Sequence, residues 1–303
     1  MRSLQGRIAS KLPRPVYEFL RGWRRRRRER HFFRQDLTSI RCGAYDLQIP
    51  NQHLLLKLQK EQPYRDLCIG ITAKFIAAKR PGATIVDVGA NIGDTAALIA
   101  TYAPNKLILV EASDYYFEIL AQNVTQLPNE VILKKAMVAS GRSVQGVLHH
   151  WGGTARFREE AVETTPVETH RLGDIAGDDA GFVKVDTDGF DVEILRGSLD
   201  WLKARHPAIL FENDIKDEKD EISSSALFDD LAAIGYTHFV VWDDPGFHLV
   251  STTSLEVLKD LNLYLLRRSQ KHFAGGISNL DVLCLHEDDA DIYRQVSEWF
   301  KIN

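Results

Sequence analysis

Residues 84–100, TIVDVGANIGDTAALIA, are the stretch of sequence that decides the fold of this chain. They begin with a β-branched apolar run ending in Asp87, turn through a loop that contains Gly89 and Gly93, and continue as an alanine-rich helical pattern. Glycine at a strand-to-helix turn permits positive φ and lets the backbone approach a ligand closely, and the first turn of the helix has unpaired N–H groups. The stretch therefore predicts a cradle for a nucleotide cofactor.

The composition of the chain is that of a protein with a full hydrophobic core. Its 303 residues are 44% hydrophobic and carry a formal net charge of -4, which favours one α/β domain with extensions and indicates no nucleic-acid partner. The three cysteines are far apart and lack metal-type spacing. No uncharged apolar run has membrane-spanning length, and the N-terminus lacks the apolar core of a signal peptide, so we predict a cytoplasmic location.

A basic amphipathic arm is predicted at residues 1–36. Apolar and aromatic residues alternate there with cations, and five arginines then follow in a row: Arg24, Arg25, Arg26, Arg27 and Arg28. A basic amphipathic helix can lie on an anionic membrane surface, where each cation contributes ~1 kcal/mol. We expect peripheral contact with the inner membrane surface. A solvated arm is the alternative, and nucleic acid is the least favoured partner.

The rest of the sequence alternates strand patterns with helical patterns. Four further strand patterns follow the opening strand, at residues 106–112, 131–139, 181–186 and 208–213. Later in the chain, residues 236–250 predict a hairpin and residues 280–285 a last strand. This alternation predicts an α/β fold with a doubly wound, mostly parallel sheet that binds its ligand at the carboxyl ends of the strands. Residues 144–167 interrupt the alternation and predict an antiparallel insert, while residues 37–80 predict an N-terminal cap segment, partly helical.

The loop after the first strand lacks the fingerprint of a dinucleotide site. The pattern G-x-G-x-x-G would require glycines where Asn91 and Asp94 stand, so a pyrophosphate cofactor such as NAD is disfavoured. A cofactor with a single adenosine, such as S-adenosylmethionine, does not need that close approach. Its ammonium suits a carboxylate at the strand end, and its ribose suits an acid at the end of the second strand. The predicted cofactor contacts are Asp87, Gly89, Ala90, Asn91, Gly93, Asp94 and Glu111.

Three segments carry a shared pattern: TIVDVGANIGDT with Glu111, FVKVDTDGFDVEILRG at residues 182–197, and ILFEND at residues 209–214. Together they resemble the FkbM family of S-adenosylmethionine-dependent methyltransferases. The chain departs from the family pattern at Asp188, where the family has Glu. The resemblance covers roughly residues 84–244 and implies a class I, Rossmann-like methyltransferase fold, with a mostly parallel sheet of seven strands whose last strand is antiparallel. We assign residues 81–303 to this methyltransferase domain. The resemblance also implies methylation of sugars and other hydroxylated natural products on oxygen.

Carboxylates follow the fourth and fifth predicted strands. Asp186 and Asp188 end one strand and Glu212 ends the next, so in a parallel sheet they converge beside the cofactor. We predict all three as catalytic residues. Asp186 is expected to orient the substrate or the donor, and Asp188 and Glu212 are candidates for the general base. The alternative for Asp188 is a cap on the helix that follows.

Histidine and a metal ion are the other candidates for proton removal. His150, beside His149 in the predicted insert, is included among the catalytic candidates because the pKa of histidine lies near neutral pH. Carboxylate oxygens would suit Mg²⁺, but clustered carboxylates often only cap helices, so no metal site is predicted and Mg²⁺ is kept as the lesser alternative.

The sequence thus favours a methyltransferase that uses S-adenosylmethionine to O-methylate a sugar hydroxyl of a glycan, a nucleotide sugar or a glycosylated metabolite. Two alternatives stay open. One is an NAD-linked nucleotide-sugar oxidoreductase, and the other is a catalytically silent adaptor that retains the S-adenosylmethionine fold.

Overall fold

The computed structural model describes residues 36–159, 166–270 and 277–302 of the chain. The basic arm predicted at residues 1–36, with its arginine run Arg24 to Arg28, lies outside the described residues except for Asp36. Among the helices of the described residues, none is both long enough and apolar enough to cross a membrane.

Strands and helices alternate over most of the described chain. The strands are β1 (Leu37–Cys42), β2 (Tyr45–Pro50), β3 (Thr84–Val88), β4 (Leu107–Glu111), β5 (Val131–Lys135), β6 (Met137–Val138), β7 (Val144–Trp151), β8 (Thr154–Glu159), β9 (Pro166–Val167), β10 (Thr169–His170), β11 (Ala180–Val185), β12 (Ala208–Asn213), β13 (Tyr236–Asp243), β14 (His248–Thr252) and β15 (Leu280–His286). The α-helices are α1 (Leu55–Glu61), α2 (Leu67–Lys79), α3 (Asp94–Tyr102), α4 (Asp114–Asn123), α5 (Leu172–Ala176), α6 (Asp191–Arg196), α7 (Leu199–Arg205), α8 (Glu218–Ala232), α9 (Leu255–Gln270) and α10 (Ala290–Ile302).

One mixed sheet forms the centre of the fold, in the strand order β5-β4-β3-β11-β12-β15-β13-β14. The first five strands in this order pair in parallel, and β15 is antiparallel to both of its neighbours. The expected parallel core and antiparallel last strand are therefore confirmed. The expected count of seven strands is wrong, because β14 adds an eighth strand at the edge.

The eighth strand follows from a tight turn after β13. Gly246, at φ +94°, donates its N–H to the Asp243 carbonyl at 2.8 Å, and the Asp243 N–H is donated to the Phe247 carbonyl at 3.0 Å. The chain is thus reversed next to the open edge of β13, whose free N–H and C=O groups are satisfied by pairing with the returning segment. The sequence of residues 236–250 predicts this hairpin, whereas the count of seven strands came from the family resemblance.

The central strands are buried on both faces. Every residue of β3 and β4 is buried, as expected for parallel strands that carry helices on both sides of the sheet. Asp87 and Glu111 are the charged residues in these two strands, so each needs a partner inside the protein.

Two further pieces of the chain lie against the glycine loop of residues 89–93. The β1–β2 hairpin and α2 contribute Ile40, Leu47 and Ile76 to the same apolar core as Ile92 and the face of α3. The antiparallel insert expected at residues 144–167 is present, with β7 paired to β8 and to β9. The division of the chain into arm, cap segment and methyltransferase domain stays a prediction.

Candidate active site

A cavity opens at the carboxyl ends of β3, β4 and β11. Both sequence motifs contribute to its walls, because parallel strands end at the same edge of a sheet. Five of the predicted site residues line it: Gly89, Asn91, Glu111, Asp186 and Asp188. The other predicted residues, namely Asp87, Ala90, Gly93, Asp94, Glu212 and His150, are not part of its lining.

The glycine loop is packed directly against the end of β11. Gly89 has φ +83°, and a Cβ at this position would collide with the carbonyl oxygen of Asp186. A side chain is therefore excluded both by backbone conformation and by lack of space. Asn91 also has positive φ, at +48°, and its backbone N–H turns toward the end of β4.

Glu111 is fixed by two backbone hydrogen bonds. Its Oε2 accepts from the Asn91 N–H at 2.9 Å and its Oε1 accepts from the Ser113 N–H at 2.7 Å. Burial raises the pKa of this carboxyl, since its side chain lies in an apolar strand end, and the two N–H donors partly oppose the effect. Each oxygen keeps a further lone pair, so the carboxylate can accept additional hydrogen bonds from the cavity.

Asp87 is fully buried and lies next to an internal cation. Its Oδ1 is 3.1 Å from the Lys184 ammonium, and its Oδ2 accepts a hydrogen bond from Thr95. The same ammonium is 3.4 Å from Asp186 Oδ2 and donates to the Gly89 carbonyl at 3.4 Å. Contact between Asp87 and the ammonium of a cofactor stays a prediction, and in the structure that carboxylate is paired with Lys184.

Asp186 and Asp188 face the cavity from the loop after β11. The side chain of Asp186 is 43% exposed. Asp188 has φ +55°, and its Oδ2 accepts a hydrogen bond from the hydroxyl of Thr154 on β8. Burial raises the pKa of the Asp188 carboxyl, the charge of Asp186 raises it further, and the Thr154 hydroxyl lowers it.

The capping alternative for Asp188 is wrong, because Asp191 binds the loop instead. The Asp191 carboxylate accepts from the N–H groups of Thr187 at 3.2 Å and Gly189 at 3.3 Å. Burial first, and the charge of Asp186 second, raise the pKa of Asp191 to about 7. The side chain of Asp188 is thereby left to its bond with Thr154.

Glu212 lies in the sheet beside the antiparallel strand. It is in register with Asp281 of β15, and its Oε1 accepts a hydrogen bond from the Asn279 amide. Burial raises the pKa of Glu212 well above its usual range, and the charges of Asp186, Asp191 and Asp281 add to the effect. In this arrangement Glu212 does not line the cavity.

Asp94 and His150 are each placed outside the cavity. Asp94 begins α3 and lines a second space together with Arg65 and Asp66, and burial raises its pKa to about 7. His150 Nε2 lies 2.7 Å from the hydroxyl of Ser113, the N-cap residue of α4, and burial lowers the pKa of this histidine. The histidine thus contacts a helix end.

Several lining residues were not predicted. Ala136, Met137 and Val138 follow β5 and line the cavity, as Glu111 does at the end of β4. The rule that ligands bind where strands end would have found them. Phe157 of β8 and Phe190 also line it, with ring centroids 5.8 Å apart. No local pattern predicts that these two rings meet.

One group of potential metal ligands occurs in the described part of the chain, formed by His206, His286 and Asp288. It lies at the amino edge of the parallel strands, away from the cavity. The two imidazole rings are stacked, with centroids 3.7 Å apart and planes 10° from parallel, so no nearby point lies in the planes of both rings. The Asp288 N–H is also donated to His286 Nδ1 at 3.3 Å. The group therefore lacks the geometry of a metal centre.

The family comparison covers the region that forms the cavity. The model of the methyltransferase FkbM domain matches residues 87–236. That span begins at Asp87, within the first motif, and includes the second motif and every predicted catalytic and cofactor-binding residue. No curated protein matches the chain.

Several solved structures match the chain at low sequence identity. Methyltransferase FkbM from Methylobacillus flagellatus KT is 12% identical over 67% of this chain and 43% of that chain, with a TM-score of 0.42. Precorrin-6y C5,15-methyltransferase from Geobacter metallireducens GS-15 is 12% identical over 71% and 86% of the two chains, with a TM-score of 0.37. M. jannaschii TYW2 in complex with AdoMet is 12% identical over 83% and 86%, with a TM-score of 0.39. This chain spans less than half the length of the Methylobacillus protein.

Proposed function

Because this chain belongs to the FkbM methyltransferase family and has the class I, Rossmann-like fold, we propose that it transfers a methyl group from S-adenosylmethionine to a sugar hydroxyl. The acceptor is a glycan, a nucleotide sugar or a glycosylated metabolite. One observation carries the proposal: a single cavity joins Glu111 of the first motif to Asp186 and Asp188 of the second. A group that binds a nucleoside and a group that takes a proton thereby share one space.

The residues that line the cavity suit the chemistry of an adenosine. Glu111 has lone pairs left for the two ribose hydroxyls, since each oxygen accepts one backbone N–H. Val138, Phe157 and Phe190 provide apolar surface on which an adenine ring can be buried. S-adenosylmethionine, when bound, supplies a methyl group activated by its sulfonium centre.

The loop after β11 fits the acceptor side of the reaction. An alcohol has a pKa of ~15, close to that of water, so its proton has to be removed as the oxygen attacks. Asp188 faces the cavity with a pKa raised by burial, which makes its carboxylate a stronger base than an exposed aspartate. We assign the general base to Asp188 and the orientation of the hydroxyl to Asp186. Glu212 and His150 are then left in supporting positions.

Calorimetry and a turnover screen test this proposal. We expect the full chain to bind S-adenosylmethionine and not NAD, and to release S-adenosylhomocysteine with at least one acceptor from a panel of glycans and nucleotide sugars. Binding of NAD alone would favour the oxidoreductase, and absence of both ligands would favour the silent adaptor. Either result would remove the methyltransferase proposal.

Asp188→Asn is expected to lower kcat by ~10²–10⁴-fold, because the amide cannot take the hydroxyl proton. S-adenosylmethionine binding should be unchanged, and a chelator should not alter the wild-type rate. The matched control is Asp178→Asn, a solvent-exposed residue that pairs with Arg205 just before β11. Unaltered turnover by Asp188→Asn would assign the base elsewhere, and loss of turnover on chelation would support Mg²⁺.

We also propose, from the sequence of the arm, that Arg24 to Arg28 hold the protein at an anionic membrane surface. Removal of the first 34 residues should abolish sedimentation with vesicles that contain an acidic phospholipid and leave S-adenosylmethionine binding unchanged. Neutral vesicles serve as the control. Equal sedimentation of both proteins would contradict a membrane role for the arm.

A further inference from the structure

The β7–β8 hairpin, residues 144–159, roofs the cavity and contacts the loop after β11 residue by residue. The hydroxyl of Thr154 is bonded to Asp188. The Arg156 guanidinium packs on Gly189, where a Cβ would lie 3.1 Å from its Nη2. The Phe157 ring packs on that of Phe190 at 5.8 Å between centroids. Three consecutive loop residues are thus held by one strand of this roof hairpin.

The turn of the roof hairpin is in turn anchored to the cofactor side of the cavity. The Asn91 amide donates to the Gly153 carbonyl at 2.8 Å, and the Leu54 N–H donates to the Gly152 carbonyl at 2.7 Å. The His53 ring lies against Gly153, where no Cβ would fit, and burial lowers the pKa of this histidine to about 4. Thr154 comes directly after these anchors, so its position is determined by the glycine loop and the cap segment.

Asp188 needs such support, because its backbone lies in the left-handed region. Positive φ is costly for a residue with a Cβ, although Asp tolerates it better than most. The adjacent backbone N–H groups are bound by Asp191, so they do not orient the Asp188 carboxylate. The bond from Thr154 does.

We propose that Thr154 is a positioning residue, which holds the Asp188 carboxylate toward the cavity when the roof hairpin is seated on the glycine loop. The role of Asp188 as general base rests on the proposed function, whereas the bond itself does not. Thr154 contributes no proton transfer of its own. It orients the group that does.

The titratable groups around Asp188 define what a titration should show. Asp186, Arg156, Lys216, Glu212 and Tyr116 face it from the loop, β8, the β12–α8 connection, β12 and α4. None of these groups changes in a Thr154 variant. A hydroxyl that donates to a carboxylate stabilises its charged form, so loss of the hydroxyl should raise the pKa of Asp188. Displacement of the roof hairpin would instead hydrate the Asp188 carboxylate and lower its pKa.

The test is a carbon-13 NMR titration of the aspartate carboxyl groups in the full chain, with the Asp188 signal identified by its absence in Asp188→Asn. Thr154→Val should raise the midpoint of that signal by about one pH unit. Thr154→Ala, a second variant without a hydroxyl, should give the same rise, and Thr154→Ser should keep the wild-type midpoint. The control is Thr169→Val, which removes the hydroxyl bonded to the Arg142 carbonyl at 2.6 Å and should leave Asp188 unchanged.

An unchanged or lowered midpoint in the variants without a hydroxyl would overturn the proposal. A Thr154→Ser protein that behaves like Thr154→Val, or an equal shift in Thr169→Val, would do the same. The titration needs neither the methyl donor nor the methyl acceptor, so its outcome is independent of whether methyl transfer is found. Failure to bind S-adenosylmethionine would remove the proposed function and leave the positioning bond in place.

Discussion

Lys184→Met is expected to lower the free energy of unfolding by about 3–5 kcal/mol, because it leaves the carboxylate of Asp87 charged and buried without its cation. Lys184 is 2% exposed and Asp87 is fully buried. Burial alone would lower the pKa of Lys184, but the charges of Asp87, Asp186 and Asp94 raise it well above its usual range, so the ammonium is charged. Methionine replaces the length of the lysine chain and removes only the charge and its hydrogen bonds.

Urea unfolding at neutral pH measures the loss. The matched control is Lys259→Met, whose ammonium forms an ion pair with Asp229 at 2.7 Å on the surface and should change stability by less than about 0.5 kcal/mol. The double variant Lys184→Met with Asp87→Asn should recover most of the loss, since it removes both members of the pair. A single-variant loss below about 1 kcal/mol would show that Asp87 finds another partner or is neutral.

The pairing of Lys184 with Asp87 shows which part of this site the sequence predicts and which part it does not. A carboxylate at the end of the first strand was predicted from its position, which is correct, and a ligand contact was inferred from that position. The two residues are direct neighbours in the β11–β3 register, a relation between strands almost 100 residues apart. Strand order and register come from the folded sheet, and no local pattern contains them.

Glu212 is a second residue whose surroundings depend on strand order, which the sequence does not give. It ends β12 as Asp186 and Asp188 follow β11, so the strand-end rule treats the three alike. The rule assumes a parallel neighbour, whereas β12 is paired on one side with the antiparallel β15. Asn279 and Asp281 therefore come beside Glu212, and its side chain is held there by the Asn279 amide. The cavity lining excludes Glu212 for that reason.

The part of the site that could be predicted is the part formed by strand ends and the turns after them. Gly89, Glu111 and Asp186 all follow from the rule that parallel strands end at one edge. The roof hairpin is different, because Thr154 and Phe157 reach the loop after β11 from β8, which belongs to a separate three-stranded sheet with β7 and β9. Their contacts depend on how the hairpin is anchored at Gly153, a tertiary contact that the sequence of the insert does not specify.

Glu111→Gln is expected to weaken the binding of S-adenosylmethionine by ~100-fold, about 2.7 kcal/mol, because hydrogen bonds to a charged acceptor are worth ~1.5–3 kcal/mol each. The carboxylate accepts from Asn91 N–H and Ser113 N–H, and its remaining lone pairs are those we assign to the ribose. In the amide, one oxygen is lost as an acceptor and an NH₂ group faces a backbone N–H. The ligand loses one hydroxyl acceptor, and the glycine loop loses one anchor.

Calorimetry with S-adenosylhomocysteine and with its 2′-deoxy analogue separates these two effects. Wild type should bind the deoxy ligand more weakly than S-adenosylhomocysteine, whereas Glu111→Gln should bind both ligands with similar affinity. The two proteins differ in this way only if the carboxylate contacts the 2′-hydroxyl, because removal of the hydroxyl then costs affinity only where the carboxylate is present. Glu130→Gln is the control, because Glu130 forms a surface ion pair with Lys106 at 3.3 Å before β5. If removal of the 2′-hydroxyl weakened binding by the same factor in wild type and in Glu111→Gln, the ribose contact would be disproved. The role of Glu111 would then be confined to holding Asn91 and Ser113.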